Sequence, residues 1–193
     1  MANTDKPILT DRFDRALVYA SEAHRLQVRK GTQIPYVSHL LGVASIALEN
    51  GADEDQAIAA LLHDAVEDQG GLKRLEDIEL EFGERVARIV DDCTDADVEP
   101  KPPWRARKEA YLASLSDKAK ESLEVSLADK THNAIAIVAD LHVHGDRLLS
   151  RFTGGKDGSL WYYRSLAEVF GQRLPGSAAR RLQALVAEME EFA

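Results

Sequence analysis

The sequence has few of the features that mark secreted, membrane-spanning or disulfide-stabilised proteins. It contains one cysteine, Cys93, which excludes an intramolecular disulfide and indicates a reducing compartment. No apolar run approaches the length of about 18 residues that a membrane span requires. The first residues also lack the apolar stretch behind a basic start that a signal peptide would have. These absences predict a cytoplasmic protein with no membrane partner.

Basic residues are scarce relative to acidic ones. Lys and Arg total 24 against 33 Asp and Glu, which gives a formal net charge of −9. A surface of that sign repels phosphate backbones, so the composition disfavours a DNA or RNA partner. Apolar residues make up 45% and charged residues 30% of the 193 positions, close to the average of folded soluble domains. We therefore expect one globular domain over residues 1–193.

Apolar residues recur at intervals of three and four along most of the chain, and no stretch alternates with a period of two. This pattern predicts an all-α fold, a bundle of about eight or nine helices with strands absent or marginal. One helix is predicted from Val37 to Asn50. The next begins near Asp53, carries the sequence AIAALLHDAVED and ends at Gly70. The glycine-containing stretch 151–159 is predicted to be a loop.

Four ionisable residues lie together in ALLHDAVED, within an otherwise apolar helix. Spacings of three and four residues place Asp64 beside Glu67 and Asp68, and His63 beside Glu67. Burying several carboxylates together is unfavourable unless a cation neutralises them, and a divalent metal is the simplest candidate. The alternative is a solvent-exposed polar face, which the apolar run before His63 argues against. His63 and Asp64 are thus candidate metal ligands, and the next two acids are candidates for holding a bound water.

Two further segments carry residues that could complete a metal site. In SLADKTHN, Asp129 emerges from a helix predicted to be buried, and Asn133 follows one turn later. In RKGTQIPYVSHL, His39 lies at the start of a predicted helix, after the basic pair Arg29 and Lys30. Either segment alone would be interpreted as structural. Because a metal bound by the first cluster needs more ligands, His39 and Asp129 are the best remaining donors.

These segments occur in an order that resembles a known family. The chain carries RKG-x-x-x-PY-x-x-H, ALLHD-x-x-ED, FG-x-x-V and LADK-x-HN in sequence. The order of His39, His63, Asp64 and Asp129 is similar to the H…HD…D signature of HD-domain metal-dependent phosphohydrolases. The full set resembles the hydrolase domain of the RelA/SpoT family, in its small stand-alone form, over residues 12–170. That domain removes the 3′-pyrophosphate of guanosine tetra- and pentaphosphate.

The resemblance implies a fold, a cofactor and a set of site residues. It implies an HD-domain helical bundle and an enzyme that binds one Mn²⁺ ion per chain. The implied metal ligands are His39, His63, Asp64 and Asp129. The implied catalytic acids are Glu67 and Asp68, and the implied substrate-binding residues are Arg29, Lys30, Asn133 and Tyr162. The predicted partner is a small-molecule nucleotide, with homodimer formation left open.

Three functional alternatives follow from the same motifs. The substrate could be a related nucleotide with a phosphate or pyrophosphate on the ribose 2′ or 3′ position, because Ala134 and Ile135 depart from the family pattern beside Asn133. An HD-type 5′-deoxynucleotidase also shows HD-x-x-E, but Asp68 and the RKG…PY segment argue against it. A nucleotide-binding sensor without activity is the third, although degenerate members usually lose a ligand or an acid, and this chain keeps all of them.

Overall fold

A computed structural model describes residues 9–94 and 102–192 of the chain. Within these ranges the regular structure is helical, and one isolated bridge pairs Val28 with Pro35. The predicted all-α class is therefore confirmed. No helix in these ranges is both long enough and apolar enough to cross a bilayer. The chain divides into two compact units, Met1–Thr94 and Asp95–Ala193, and the single domain predicted over residues 1–193 stays a prediction.

The described part of the first unit consists of six α-helices with polar caps at two of their starts. The Thr10 hydroxyl accepts a hydrogen bond from the Arg12 amide, and Asp53 and Gln56 form a reciprocal capping box. The helices are α1 Asp11–Ala23, α2 Val37–Glu49, α3 Glu54–Leu62, α4 Ala65–Gln69, α5 Gly71–Phe82 and α6 Glu84–Cys93. The predicted helix over Val37 to Asn50 is thus confirmed to within one residue.

Helix α3 forms the centre of this unit. Every residue from Gln56 to Leu62 is buried, and α3 packs against α1, α2 and α6. A helix that is apolar on all sides is stable only when other helices cover every side, which explains the run AIAALL. The C-terminal end of α3 is therefore a rigid platform for the residues that follow it.

One predicted helix is interrupted. The sequence pattern placed AIAALLHDAVED on a single helix, but α3 ends at Leu62 and α4 begins at Ala65. The side chain of His63 contacts the Ala60 carbonyl oxygen in the last turn of α3, and Asp64 adopts φ −97° and ψ −2°. These local contacts replace the regular helical ladder at two residues. The prediction of one continuous helix here is wrong, and the interruption adds one helix to the predicted number.

The second unit is built around one long helix. Helix α8 packs against α9 and α10, and the unit's apolar core includes Leu123, Leu141, Leu166, Phe170 and Leu182. The described helices are α7 Trp104–Ser114, α8 Lys120–His144, a 3₁₀ helix Gly145–Arg151, α9 Gly155–Arg173 and α10 Ser177–Glu191. Asp129 lies near the middle of α8.

The predicted loop over residues 151–159 is only partly correct, because α9 begins at Gly155. The glycines here serve close packing as well as chain reversal. A Cβ atom on Gly154 would lie 2.5 Å from the Trp104 ring, and one on Gly158 would lie 3.1 Å from it. Small residues at these positions let the indole ring of α7 approach the start of α9. From the sequence alone these glycines indicate a loop, because their contact with Trp104 joins residues far apart in the chain.

Candidate metal and nucleotide-binding site

The interruption after α3 brings His63 and Asp64 to the same place. On a regular helix adjacent residues point in different directions, about 100° apart. Here the His63 Nε2 atom lies 3.0 Å from Asp64 Oδ2. His63 is 1% exposed, whereas the Asp64 side chain is 21% exposed. The break therefore turns two neighbours in sequence into one nitrogen and one oxygen donor at a single site.

Helix α2 supplies a third donor of the same unit. His39 lies in its first turn, fully buried, and its ring centroid is 5.1 Å from that of His63. The His39 Nε2 atom lies 3.5 Å from Asp64 Oδ2. Ligand nitrogens of the two histidines lie within 4.8 Å of each other. Three of the four predicted metal ligands are thus brought together in the first unit.

The hydrogen bond to His63 fixes where its proton is. The Nδ1 atom lies 2.8 Å from the Ala60 carbonyl oxygen, which can only accept, so Nδ1 carries hydrogen. In the neutral ring Nε2 then presents a lone pair toward Asp64 Oδ2, which is also an acceptor. Two acceptors at 3.0 Å require a cation or a proton between them. A backbone carbonyl that orients the far nitrogen is the usual arrangement around a metal-bound histidine. The residues present fit a divalent metal.

Tyr36 binds the Asp64 carboxylate at the same oxygen that the two histidines face. Its hydroxyl donates a hydrogen bond of 2.6 Å to Asp64 Oδ2, and its ring stacks on His24 at 5.1 Å. The ring of Tyr36 also meets His39 edge-on at 5.5 Å. Tyr36 therefore limits the rotation of the Asp64 carboxylate. Tyr36 carries no role predicted from the sequence, although its place in the PY-x-x-H segment is a usable signal.

The two predicted catalytic acids follow on α4. Glu67 is half-buried, and the Asp68 carboxylate accepts a 2.8 Å hydrogen bond from Gln27. Partial desolvation raises the pKa of Asp68, and the Asp64 carboxylate raises it further, while the hydrogen bond from Gln27 opposes the rise. A carboxylate with a raised pKa is a better proton acceptor than an ordinary one.

The predicted basic pair lies on the segment that also carries Gln27 and Tyr36. Arg29 is half-buried, with its guanidinium 5.8 Å from the centroid of the Tyr36 ring. Lys30 is exposed. Since Tyr36 also binds Asp64, this segment places Arg29 close to the acids of the first unit.

The second unit holds the remaining predicted ligand, Asp129. It is buried on α8, and its two carboxylate oxygens accept hydrogen bonds of 2.6 Å from Lys130 and from Asn133. Burial acts to lower the pKa of Lys130, but the Asp129 carboxylate, its hydrogen bond and the nearby Tyr111 and Tyr162 together outweigh burial, and the pKa lies well above its ordinary value. Lys130 is therefore charged, and the predicted substrate contact Asn133 orients Asp129.

Tyr162 is buried on α9 of the same unit. Its ring centroid lies 6.2 Å from that of Trp104, and the Lys108 ammonium lies 5.0 Å from the Tyr162 ring. Burial raises the pKa of the Tyr162 hydroxyl well above its ordinary value. Among the described residues, that hydroxyl is a buried polar atom without a hydrogen-bond partner. Such an atom is costly unless a ligand or water satisfies it, which fits the predicted role in substrate binding.

The sequence also matches a described protein family. A profile of the HD domain matches residues 16–151, which is more than half of the chain. The chain belongs to the HD-domain family. Hydrolases of the HD-domain family use a divalent metal, so the expectation of a divalent ion is confirmed at the family level, while manganese stays a prediction.

Relatives of this HD-domain chain include alarmone hydrolases. The guanosine-3′,5′-bis(diphosphate) 3′-pyrophosphohydrolase MESH1 of Xenopus tropicalis is 42% identical over 118 residues, 60% of this chain and 63% of that protein. The bifunctional (p)ppGpp synthase/hydrolase SpoT of Escherichia coli K12 is 33% identical over 128 residues, 63% of this chain and 17% of that protein. The chain thus matches less than two thirds of the length of these relatives. The predicted resemblance to the RelA/SpoT hydrolases is confirmed.

Two solved structures have the same fold. A metazoan ortholog of SpoT that hydrolyzes ppGpp and plays a role in starvation responses aligns with a TM-score of 0.73 at 26% identity. That alignment covers 94% of this chain and 96% of the other. The protein lmo0812 of Listeria monocytogenes EGD-e aligns with a TM-score of 0.68 at 28% identity, covering 82% and 99% of the two chains. Both comparisons agree with an all-α HD-domain fold.

Titration of His24 is expected to make the stability of this HD-domain protein depend on pH. Burial lowers the pKa of His24 below its ordinary value, and its hydrogen bond to Gln27 only partly opposes this. Below about pH 6.5 the unfolded chain binds a proton at this position that the folded chain does not bind. We therefore expect the free energy of unfolding to fall as the pH drops from 7.5 to about 5.5. Urea titrations followed by circular dichroism at several pH values measure this slope.

The His24→Asn variant isolates the contribution of that ring. It keeps a short polar side chain but cannot titrate, so its pH slope should be shallower than that of the wild type. His144→Asn, at the exposed end of α8, is the matched control and should keep the wild-type slope. Equal slopes for His24→Asn and the wild type would contradict the assignment.

Proposed function

We propose that this chain removes the 3′-pyrophosphate of guanosine tetra- and pentaphosphate, with Mn²⁺ held by His39, His63, Asp64 and Asp129. The observation that carries the proposal is the His63–Asp64 pair, in which a fixed histidine tautomer aims a lone pair at a carboxylate. The 42% identity to a 3′-pyrophosphohydrolase supports the substrate class. Asp129 is included because the H…HD…D order assigns it and because it is a buried, oriented carboxylate.

The residues divide the chemistry between them. When bound, the metal supplies Lewis acidity, which polarises a phosphoryl oxygen and lowers the pKa of a coordinated water. Glu67 and Asp68 accept the proton of the attacking water, and the raised pKa of Asp68 suits that task. Tyr36 keeps the Asp64 carboxylate in a fixed orientation. Glu67 and Asp68 thus have a task separate from that of the four metal ligands.

The remaining residues bind the substrate. Arg29 and Lys30 offset the charge of the departing pyrophosphate, because a multiply charged anion needs cations close to it. Asn133 reaches toward the nucleoside or an adjacent phosphate from the turn after Asp129. The buried Tyr162 hydroxyl donates to the nucleotide, which would satisfy its unmet hydrogen bond. The homodimer and the lack of a nucleic-acid partner stay predictions, which sedimentation and filter-binding assays test.

A direct comparison of substrates tests the proposal. Manganese-loaded protein is incubated with guanosine tetraphosphate and, separately, with deoxynucleoside 5′-monophosphates, and the products are separated by ion-exchange chromatography. We expect pyrophosphate and guanosine diphosphate from the first substrate and no phosphate from the second, because the basic pair favours a doubly phosphorylated leaving group.

The other outcomes identify the alternatives. Dephosphorylation of the 5′-monophosphates, with the tetraphosphate left intact, would assign the chain to the 5′-deoxynucleotidases. Binding of guanosine tetraphosphate without turnover, under conditions where metal is bound, would indicate a nucleotide sensor. Phosphate release from a different 2′- or 3′-phosphorylated nucleotide at a higher rate would keep the reaction class and change the natural substrate.

A further inference from the structure

The segment between α1 and α2 holds two acids at once. Its backbone is closed by hydrogen bonds from the Tyr36 amide to the Gln27 carbonyl, 2.9 Å, and from the Arg29 amide to the Ile34 carbonyl, 2.8 Å. We call residues 24–36 the α1–α2 hairpin. Because these bonds fix Gln27 and Tyr36 side by side, the hairpin presents two side-chain donors with a defined spacing.

The orientation of the Gln27 amide follows from its surroundings. An ionised Asp68 can only accept, so the group 2.8 Å from its Oδ2 atom must be the NH₂ of Gln27. The Gln27 Oε1 atom then points the other way and accepts from Gln69 Nε2 at 2.5 Å and from His24 Nδ1 at 2.7 Å. His24 is 2% exposed and is held by its stacking on Tyr36. The Gln27 side chain is thus fixed at its oxygen by two donors and uses its nitrogen on Asp68.

Asp68 lies near the end of a short helix. Helix α4 is five residues long and is followed by Gly70, which has a φ of 143°. Asp68 is itself exposed, so its carboxylate can rotate toward solvent unless a neighbour restrains it. A side chain on a short helix that must accept a proton from one particular water benefits from such a restraint, because misorientation by a fraction of an ångström lowers the rate.

We propose that Gln27 is a positioning residue, which fixes the Asp68 carboxylate through Nε2 while His24 and Gln69 fix Gln27 through Oε1. The inference rests on the proposed function, in which Asp68 accepts the proton of the attacking water. The side-chain hydrogen bonds of Gln27 go to His24, Asp68 and Gln69, none of which is a predicted metal ligand or substrate-binding residue. Its loss should therefore lower kcat without changing metal content or KM.

Two variants separate positioning from a structural role. Gln27→Glu keeps the length and the oxygen that accepts from His24, but it replaces the donor to Asp68 by a second carboxylate oxygen. Gln27→Met keeps the length and removes both polar functions. We expect either variant to lower kcat by about tenfold to a hundredfold, the range typical of residues that orient the side chains of a metal site through hydrogen bonds. We expect KM to stay within about twofold of the wild-type value. Metal content by atomic emission and the melting temperature are measured on the same samples.

Double variants and a control decide the outcome. If Gln27 acts through Asp68, Gln27→Met should lower kcat in the wild type but have no further effect in an Asp68→Asn background. Gln172→Met, an exposed position on α9, is the matched control and should leave kcat unchanged. Wild-type kcat in Gln27→Glu and Gln27→Met, or an additive effect in the double variant, overturns the proposal.

Melting temperatures of the wild type, Gln27→Met, Asp68→Asn and the double variant separate this inference from the proposed function. Should the wild type leave guanosine tetraphosphate intact, the proposed function fails, whereas the coupling between Gln27 and Asp68 can still be read from melting temperatures. A coupled pair predicts that Gln27→Met destabilises the wild type more than it destabilises Asp68→Asn. Equal destabilisation of both backgrounds would show that the contact does not restrain Asp68, and the inference would fail independently of activity.

Discussion

Replacing Asp64 by alanine is expected to remove the bound metal and lower kcat/KM by about a thousandfold or more. The Asp64 carboxylate lies within 3.5 Å of the Nε2 atoms of both His39 and His63. Its loss therefore removes the oxygen donor of the first unit and leaves only the two histidine nitrogens there. A divalent ion contributes several kcal/mol of charge stabilisation in the transition state, and each 1.36 kcal/mol changes the rate about tenfold. Metal analysis after dialysis, together with steady-state kinetics on guanosine tetraphosphate, measures both effects.

A matched variant shows whether the effect is specific. Asp77→Ala removes an exposed carboxylate from α5 of the same unit and should keep metal content and activity at the wild-type level. Metal retained by Asp64→Ala in stoichiometric amount, with turnover near that of the wild type, would contradict the assignment of Asp64 as a ligand. A variant that retains metal but loses turnover would move Asp64 from the ligands to the acids that handle water.

Local sequence signals were sufficient for most of the helices. The run AIAALL is apolar in every direction, which only a central buried helix tolerates, and α3 is that helix. Asp53 stands three residues before Gln56, a spacing that marks a helix start, and the capping box is present. The class of fold follows from such patterns because caps and apolar spacing depend on residues close together in sequence.

The interruption at His63 and Asp64 could not be predicted in the same way. Nothing between Leu62 and Ala65 is a glycine or a proline, and residues 63–69 continue the helical pattern. The break is associated instead with the contact from His63 to Ala60 and with the hydrogen bond from Tyr36, a residue 28 positions earlier. Tertiary contacts of this kind override local propensity, and they are expected where side chains are arranged for a site.

The sequence indicates where the two α4 acids lie, but it does not indicate which residues orient them. Several carboxylates close together stand out in an otherwise apolar helix, which is why the sequence alone indicates Glu67 and Asp68. Gln27 and His24 carry no such signal, because a glutamine and a histidine near a helix end are common on any protein surface. Their proposed roles depend on the hairpin, which brings Gln27 to Asp68 across 41 residues of sequence and holds His24 against Gln27.

Replacing either α4 acid by its amide should separate binding from chemistry. Glu67→Gln and Asp68→Asn are expected to keep the metal but to lower kcat by about a hundredfold to ten-thousandfold, the range that general acid–base catalysis contributes. The reason is that neither acid belongs to the predicted ligand set, and an amide cannot accept the proton of the attacking water. Metal analysis and single-turnover kinetics with guanosine tetraphosphate measure the two properties separately.

The comparison between the two amide variants is informative in itself. The raised pKa of Asp68 suits it to accept a proton, and a larger loss of kcat in one variant than in the other would identify the main proton acceptor. Glu79→Gln, an exposed acid on α5, is the isosteric control and should behave as the wild type. If both α4 variants kept wild-type rates, Glu67 and Asp68 would have no part in the reaction. Loss of metal from either one would instead make that acid a ligand, and the four-residue set of His39, His63, Asp64 and Asp129 would need revision.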